Sequence, residues 1–287
     1  VTSAADLDLL EAMAANEARE SFWAYRQFMN PRMKRGWWQR DLAKHLQLFY
    51  EDLVAGRRPK LIVQAPPQHG KSDTIVDFIG WASGRNPALK TIYASFSERL
   101  GERANGKLQR AFDTPRYQRA FPSLSISGGP SNGAVQALRN RALIEFADTD
   151  GYFRNTTVRG SVTGESLDLG VLDDPIKGRE DANSDTIRDR TWDWLTDDFM
   201  TRFADDAGLL CILTRWHVDD PAGRLVAIDP SVKVLSYRAI ATADETHRRA
   251  GEPLFPEHKS LPFLLERKRS MDPLSWEALF QQSPVVA

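Results

Sequence analysis

The sequence predicts an α/β fold with a largely parallel central sheet flanked by helices. Two observations carry that expectation. From residue 60 onward, short apolar runs alternate with stretches of helical periodicity, and such alternation closes into a parallel sheet through right-handed crossovers. One strand-to-helix junction, residues 65–72, brings Gly70, Lys71 and Ser72 to a helix start, where backbone N–H groups and the helix dipole favour anions.

Taken in order, residues 6–30 place Leu9, Leu10, Met13, Phe22, Tyr25, Phe28 and Met29 at helical spacing and predict one helix, broken by Asn30-Pro31. A second helix is expected over 39–54, with Leu42, Leu46, Phe49 and Leu53 on one face and Gly56 ending it. A strand at 60–65, a helix at 70–82, a strand at 91–94 and a helix at 97–112 follow. Residues 113–165, rich in Gly, Ser and Asn, are less regular and hold one expected strand at 142–146. A strand at 167–172, a helix at 184–203, a strand at 209–213 and a helix near 219–228 complete the alternation. Pro-punctuated helical pieces at 261–268 and 273–282 form a small C-terminal helical appendage. The expected organisation is an N-terminal helical segment (1–59), a nucleotide-binding core (60–245) and a small C-terminal subdomain (246–287).

Composition bounds the function. With 287 residues, 41% of them hydrophobic and 27% charged, the chain buries a sizeable core and is neither disordered, collagen-like nor a coiled coil. Its 38 Lys+Arg against 39 Asp+Glu leave grip on nucleic acid to local patches. The single Cys211 excludes an internal disulfide framework and a cysteine zinc site, and fits a reducing compartment. The five histidines show no metal-ligand spacing. No apolar stretch approaches the ~20 residues of a membrane span, and no secretory signal opens the chain. A soluble intracellular protein without a membrane partner is expected. The start at Val1, without an initiator Met, reads as a processed or trimmed form.

Ala65-Pro66-Pro67-Gln68-His69-Gly70-Lys71-Ser72 is G-x-x-x-x-G-K-[ST] with Ala65 in place of the first glycine. Gly70 lets the backbone approach phosphate, Lys71 supplies a point charge to the β/γ oxygens, and Ser72 reaches Mg²⁺. Gln68 and His69 lie in the same loop as further nucleotide-binding candidates, and His69 could touch phosphate. The alternative is a chance Gly-Lys-Ser at a helix start. A phosphate loop needs an acidic partner at the end of a second buried strand, and Leu167-Asp168-Leu169-Gly170-Val171-Leu172-Asp173-Asp174 provides one. Asp173 would hold Mg²⁺ and Asp174 would orient or deprotonate the attacking water, with Glu180 in reserve; a solvated Asp-Asp-Pro turn is the alternative. A third strand ends in Thr214-Arg215-Trp216-His217. Thr214 could sense the γ-phosphate, and could equally cap the next turn. Together these elements predict a P-loop NTPase of the RecA-like (ASCE) kind, with ATP and Mg²⁺ as cofactors.

These residues resemble the large terminase subunits of tailed bacteriophages, the motors that package DNA into procapsids. The resemblance runs from Trp38-Gln39, through Pro66–Ser72, Asp173-Asp174-Pro175-Ile176-Lys177, Thr191-Trp192-Asp193-Trp194 and Thr214-Arg215-Trp216-His217, to Gln281-Gln282-Ser283-Pro284. It implies that Gln39 reads the adenine edge, that Lys71 and Ser72 serve phosphate and Mg²⁺, that Asp173 and Asp174 form the Walker B pair, and that Thr214 couples hydrolysis to motion. It implies double-stranded DNA, a portal protein and a small terminase subunit as partners, a homo-oligomeric ring at work, and a location in the infected host's cytoplasm, transiently at the procapsid portal.

Two departures stand out. The loop lacks the arginine that many large terminases carry there, and Gly164-Glu165-Ser166 stands where relatives often have one. The transition-state arginine, often delivered in trans, falls first to Arg159 and second to Arg215; a surface arginine without a special role is the alternative for each. The chain also ends where the family usually continues into a ribonuclease-H-like domain, so it reads as the motor half and no DNA cleavage is expected from it. Arg99, Arg103, Lys107 and Arg110 line one face of the 97–112 helix and suit phosphate or an acidic face of a neighbouring subunit; a solvated face explains them too. Besides a packaging ATPase, a helicase-type translocase and an ATP-binding assembly module with little turnover fit the same motifs.

Overall fold

The computed structural model describes residues 3–126 and 137–284. Three N-terminal helices, α1 (Ala4–Glu20), α2 (Phe22–Met29) and α3 (Trp37–Val54), precede the first strand. The expected single helix over 6–30 is two helices. The break falls at Ser21, whose hydroxyl accepts the Ala24 N–H while Gln47 takes the Phe22 N–H. A serine that can cap a new helix offers the backbone a way out of the old one.

From there β1 (Lys60–Gln64), α4 (Lys71–Arg85), β2 (Lys90–Ser95), α5 (Glu98–Phe112) and α6 (Pro115–Ala120) follow. Next come β3 (Leu143–Glu145), β4 (Tyr152–Thr157), β5 (Leu167–Asp173), α7 (Arg179–Asn183) and α8 (Asp185–Asp193). The chain continues through β6 (Phe203–Leu213), α9 (Pro221–Ile228), β7 (Lys233–Ser236), α10 (Leu261–Ser270) and α11 (Pro273–Leu279). Seven strands form one sheet in the order β3-β4-β2-β5-β6-β1-β7. All neighbours are parallel except β3 with β4.

The expected helix over 184–203 ends at Asp193. A wide turn, Trp194–Phe199, and a tight one, Met200–Arg202, follow before β6 begins at Phe203. Trp194, Leu195 and Phe199 are buried, so the run keeps apolar spacing while its backbone loosens. The irregular region also contains β4 and α6, and β7 forms an unforeseen edge strand.

Alternate residues along the central strands face two different apolar layers. Val63, Val171, Leu210 and Ile212 pack with α1–α6 residues such as Phe22, Trp38, Phe78 and Trp81. Ile62, Leu172, Cys211 and Leu213 pack with Trp194, Phe199 and Leu225. The N-terminal helices therefore share a core with the phosphate-loop helix. The C-terminal pieces join through the Ala239 N–H to the Phe280 carbonyl at 2.7 Å, the burial of Leu254 and Phe255, and a satellite cluster around Trp276.

Candidate functional site

In register, Ser95 of β2 pairs with Asp173 of β5, Asp173 with Ile212 of β6, and Gln64 of β1 with Leu213. Three loops therefore leave the sheet at one carboxyl edge, where ligands of open α/β sheets bind. β6 stands between β1 and β5, so Thr214 emerges between the phosphate loop and the acidic pair. That placement brings Lys71, Ser72, Asp173, Asp174 and Thr214 together.

Gly70 caps α4 at φ 85° with open space where a Cβ would stand, a conformation that costs glycine nothing. The Lys71 ammonium is buried, donating to Thr214 Oγ1 at 2.7 Å and pairing with Asp174 Oδ2 at 3.2 Å. The other Asp174 oxygen accepts the Thr214 N–H at 2.8 Å, and the Asp174 N–H donates to the Ile212 carbonyl at 2.8 Å. Asp174 holds this position at φ 42°, a left-handed conformation that aspartate tolerates better than most residues.

Ser72 Oγ donates to Asp173 Oδ1 at 3.2 Å, and the Tyr93 hydroxyl donates to Asp173 Oδ2. Asp173 is 1% exposed. Burial first, and then the charge of Asp174, push its carboxyl above the ordinary range, while Lys71 and the two hydroxyls oppose them. A carboxylate and a hydroxyl that touch are hard oxygen donors suited to Mg²⁺, with water and phosphate oxygens to complete six ligands. Tyr93 was not singled out by sequence reasoning, because a tyrosine in Thr91-Ile92-Tyr93-Ala94 reads as core. The signal available was its place at the end of a strand beside the acidic one.

A cleft of about 1330 Å³ opens over this edge. Gln39 lines it, buried, with Oε1 accepting the Gly36 N–H at 3.0 Å. Gln68, at φ 57°, is tied to the C-terminal segment: its carbonyl accepts from His258 Nε2 at 3.0 Å and its Oε1 from Lys259 at 3.1 Å. His69 departs from its expected role toward phosphate. Its ring turns inward against Trp38, its Nδ1 lies 2.9 Å from the Pro67 carbonyl, and its Nε2 is buried without a partner among the described residues. Burial lowers its pKa to about 4, overriding the Pro67 contact, so the ring is neutral and braces the loop.

The arginine candidates stand apart from this cluster. Arg215 donates to Asp220 Oδ2 at 2.6 Å and to the His217 and Val218 carbonyls, and Asp220 caps α9 through the Gly223 N–H at 2.9 Å. A Cβ on Gly223 would lie 1.9 Å from the Val218 carbonyl oxygen, so only glycine lets this loop close. Arg215 is thus a brace for the segment that carries Thr214. Arg159 sits exposed in the turn after β4 at φ 68° and does not line the cleft. Glu180 is exposed on α7, also away from it.

No protein-family model and no curated protein matches the sequence. Solved structures do. The large terminase of bacteriophage HK97 aligns at 17% identity over 88% of this chain and 51% of that one, with a TM-score of 0.57. The ATPase domain of the Thermus phage P74-26 large terminase aligns at 14% identity over 81% of this chain and 92% of that one, with a TM-score of 0.49. This chain thus spans about half the length of the HK97 terminase, at 51%. No helix among the described residues is long and apolar enough to cross a membrane. The strand order, the phosphate loop and the HK97 likeness agree on one architecture, a RecA-like P-loop fold shared with a phage large terminase.

Proposed function

We propose that the chain is an Mg²⁺-dependent ATPase that powers translocation of double-stranded viral DNA into a procapsid. The observation that carries this is the closed set Lys71–Asp174–Thr214 beside Ser72–Asp173 at the carboxyl edge. In it Lys71 donates to Thr214 and pairs with Asp174. A triphosphate offers stronger acceptors, so its arrival draws Lys71 off Asp174 and Thr214. Asp174 is then free to orient the attacking water, and the released Thr214 hydroxyl faces the γ-phosphate. Ser72 and Asp173 would hold Mg²⁺, which supplies charge neutralisation at the β/γ oxygens. Gln39, Gln68 and the backbone of Gly70 supply the remaining nucleotide contacts.

By the same resemblance, the partners are DNA, a portal protein, a small terminase subunit and further copies of this chain in a ring. The setting is the cytoplasm of an infected bacterium and then the procapsid portal. A second reading, an ATP-binding module with little turnover of its own, is favoured by one observation: neither Arg159 nor Arg215 faces the cleft. Steady-state ATP hydrolysis over a range of protein concentrations separates the two. Turnover per subunit that requires Mg²⁺ and climbs with concentration supports the motor, whereas ATP bound without turnover at every concentration leaves the module.

A further inference from the structure

The cleft continues beyond the phosphate loop, and its outer part is cationic in a way that nucleotide binding does not use. Asp77 stands six residues past Lys71 on α4, about 9 Å along the helix. It accepts from Arg26 Nε at 3.1 Å and pairs with Lys107 at 2.8 Å; Lys107 also reaches Asp73 at 2.9 Å. Arg103 and Arg110 flank Lys107 on the same face of α5, and Arg32 and Lys34 line the cleft as well. Asp73 and Asp77 are thus met by Lys107 and Arg26, while the side chains of Arg32, Arg103 and Arg110 have no hydrogen bond or ion pair among the described residues. Glu102, which interrupts the stripe in sequence, leans 3.9 Å from Arg141 instead. Arg26 is 5% exposed, and its Nη1 is buried without an acceptor among the described residues, a donor that an anion in the cleft would satisfy.

We propose that this outer compartment, centred on Arg103 and Arg110 of α5, binds the phosphodiester backbone of DNA. The proposal rests on the translocase reading and adds where the track is held. Arg103 to Arg110 spans seven residues, about 10 Å of helix, comparable to the axial rise of about three phosphates on one strand. Unpaired guanidinium forks match phosphate oxygens bidentately. A second copy of this chain is the weaker occupant. On its acidic α8 face, Asp185 and Asp189 are already committed to Arg188 and Arg224. Lys107 and Arg26 link the compartment to α4, the helix whose first turn carries Lys71 and Ser72, so a load on the backbone and a change at the phosphates act on one rigid element.

The test measures binding of a short fluorescent DNA duplex by the whole chain at several salt concentrations, for wild type and for the double variant Arg103→Gln/Arg110→Gln. Both side chains are exposed, so the thermal midpoint should hold, and ATP hydrolysis without DNA should be unchanged. The variant is expected to bind about 10-fold or more weakly, with the salt dependence falling by about two counterions. Equal affinity and equal salt dependence in the two proteins, or no DNA binding by the wild type, overturns the proposal. So does a loss of self-association by sedimentation with DNA affinity intact, which makes this face a contact between copies. Arginine-dependent DNA binding without ATP hydrolysis strikes the motor reading alone; hydrolysis with arginine-independent DNA binding strikes this proposal alone.

Discussion

At the carboxyl edge of the sheet, the loops after β1, β5 and β6 carry side chains tied to one another, whereas the turn after β4, two places from β5, carries an arginine whose side chain has no partner among the described residues. Lys71, Asp173, Asp174 and Thr214 each have at least two contacts from other elements or loops. Arg159, by contrast, makes no side-chain hydrogen bond or ion pair among the described residues. The difference teaches where function can be read from one chain. A central strand end is over-determined by its neighbours, so each substitution there propagates. A peripheral strand end is energetically free, so any role it has comes from a molecule outside the chain.

The largest effect should come from the centre. Lys71→Ala removes the one ammonium shared by Thr214 and Asp174 and is expected to lower ATP turnover by about 1,000-fold, or about 4 kcal/mol of transition-state stabilisation. Steady-state kinetics check it, and a loss of less than about tenfold would detach this cluster from the chemistry.

Stability against pH tests the brace beneath the loop. His69 is neutral when folded, with a pKa near 4 against 6.5 when exposed. Between those values the unfolded chain binds more protons, so stability rises with pH through this window and its His69 part is complete above 6.5. The contribution lost on going below pH 4 is up to about 3 kcal/mol. Denaturant unfolding of wild type and His69→Gln across this window should show a shallower slope in the variant. Parallel curves would mean that the ring charges at no cost and is not buried as described.

A smaller effect separates the two carboxylates. Tyr93→Phe keeps the ring beside Phe153, 6.2 Å between centroids, and deletes only the donor to Asp173. A hydrogen bond to a charged group is worth about 1.5–3 kcal/mol, and Asp173 without it should need about tenfold more Mg²⁺ for half-maximal hydrolysis, with kcat at saturating Mg²⁺ little changed. Turnover that falls at every Mg²⁺ concentration would place Tyr93 with Asp174 and the chemistry rather than with metal binding.

The same contrast explains what was legible. β1, β5 and β6 are apolar runs that lead into Gly-Lys-Ser, Asp-Asp and Thr-Arg, because a strand buried on both faces has little room for polar residues except at or beyond its ends. β4 reads Tyr-Phe-Arg-Asn-Thr-Thr with only Phe153 and Asn155 buried, and β7 is largely exposed. β4, second from one edge of the sheet, and β7, at the other edge, are held largely by backbone pairing, which leaves no residue signature. The inward turn of His69 and the engagement of Arg215 by Asp220 were invisible for another reason. Both depend on partners that the fold alone brings into place, the Trp38 ring for one and the α9 cap for the other.

The smallest effect expected in one isolated chain is at Arg159, and that is its value. Its side chain is exposed and has no partner among the described residues, and its backbone sits at φ 68°, so Arg159→Ala should move stability by no more than about 0.5 kcal/mol. Arg159→Gly, which relieves the left-handed conformation, should be at least as stable as Arg159→Ala. Turnover at dilute protein should match wild type for both variants. At high concentration, where copies meet, wild-type turnover per subunit should rise and the variants should lag by about 100-fold or more if the arginine completes a neighbour's site. Mixing Arg159→Ala with Lys71→Ala then distinguishes trans from cis. Each supplies what the other lacks only across an interface, so recovered activity in the mixture requires that Arg159 of one copy reach the phosphates held by another. No recovery, with both variants still assembling, would return Arg159 to the surface and leave the turn after β4 without a catalytic arginine.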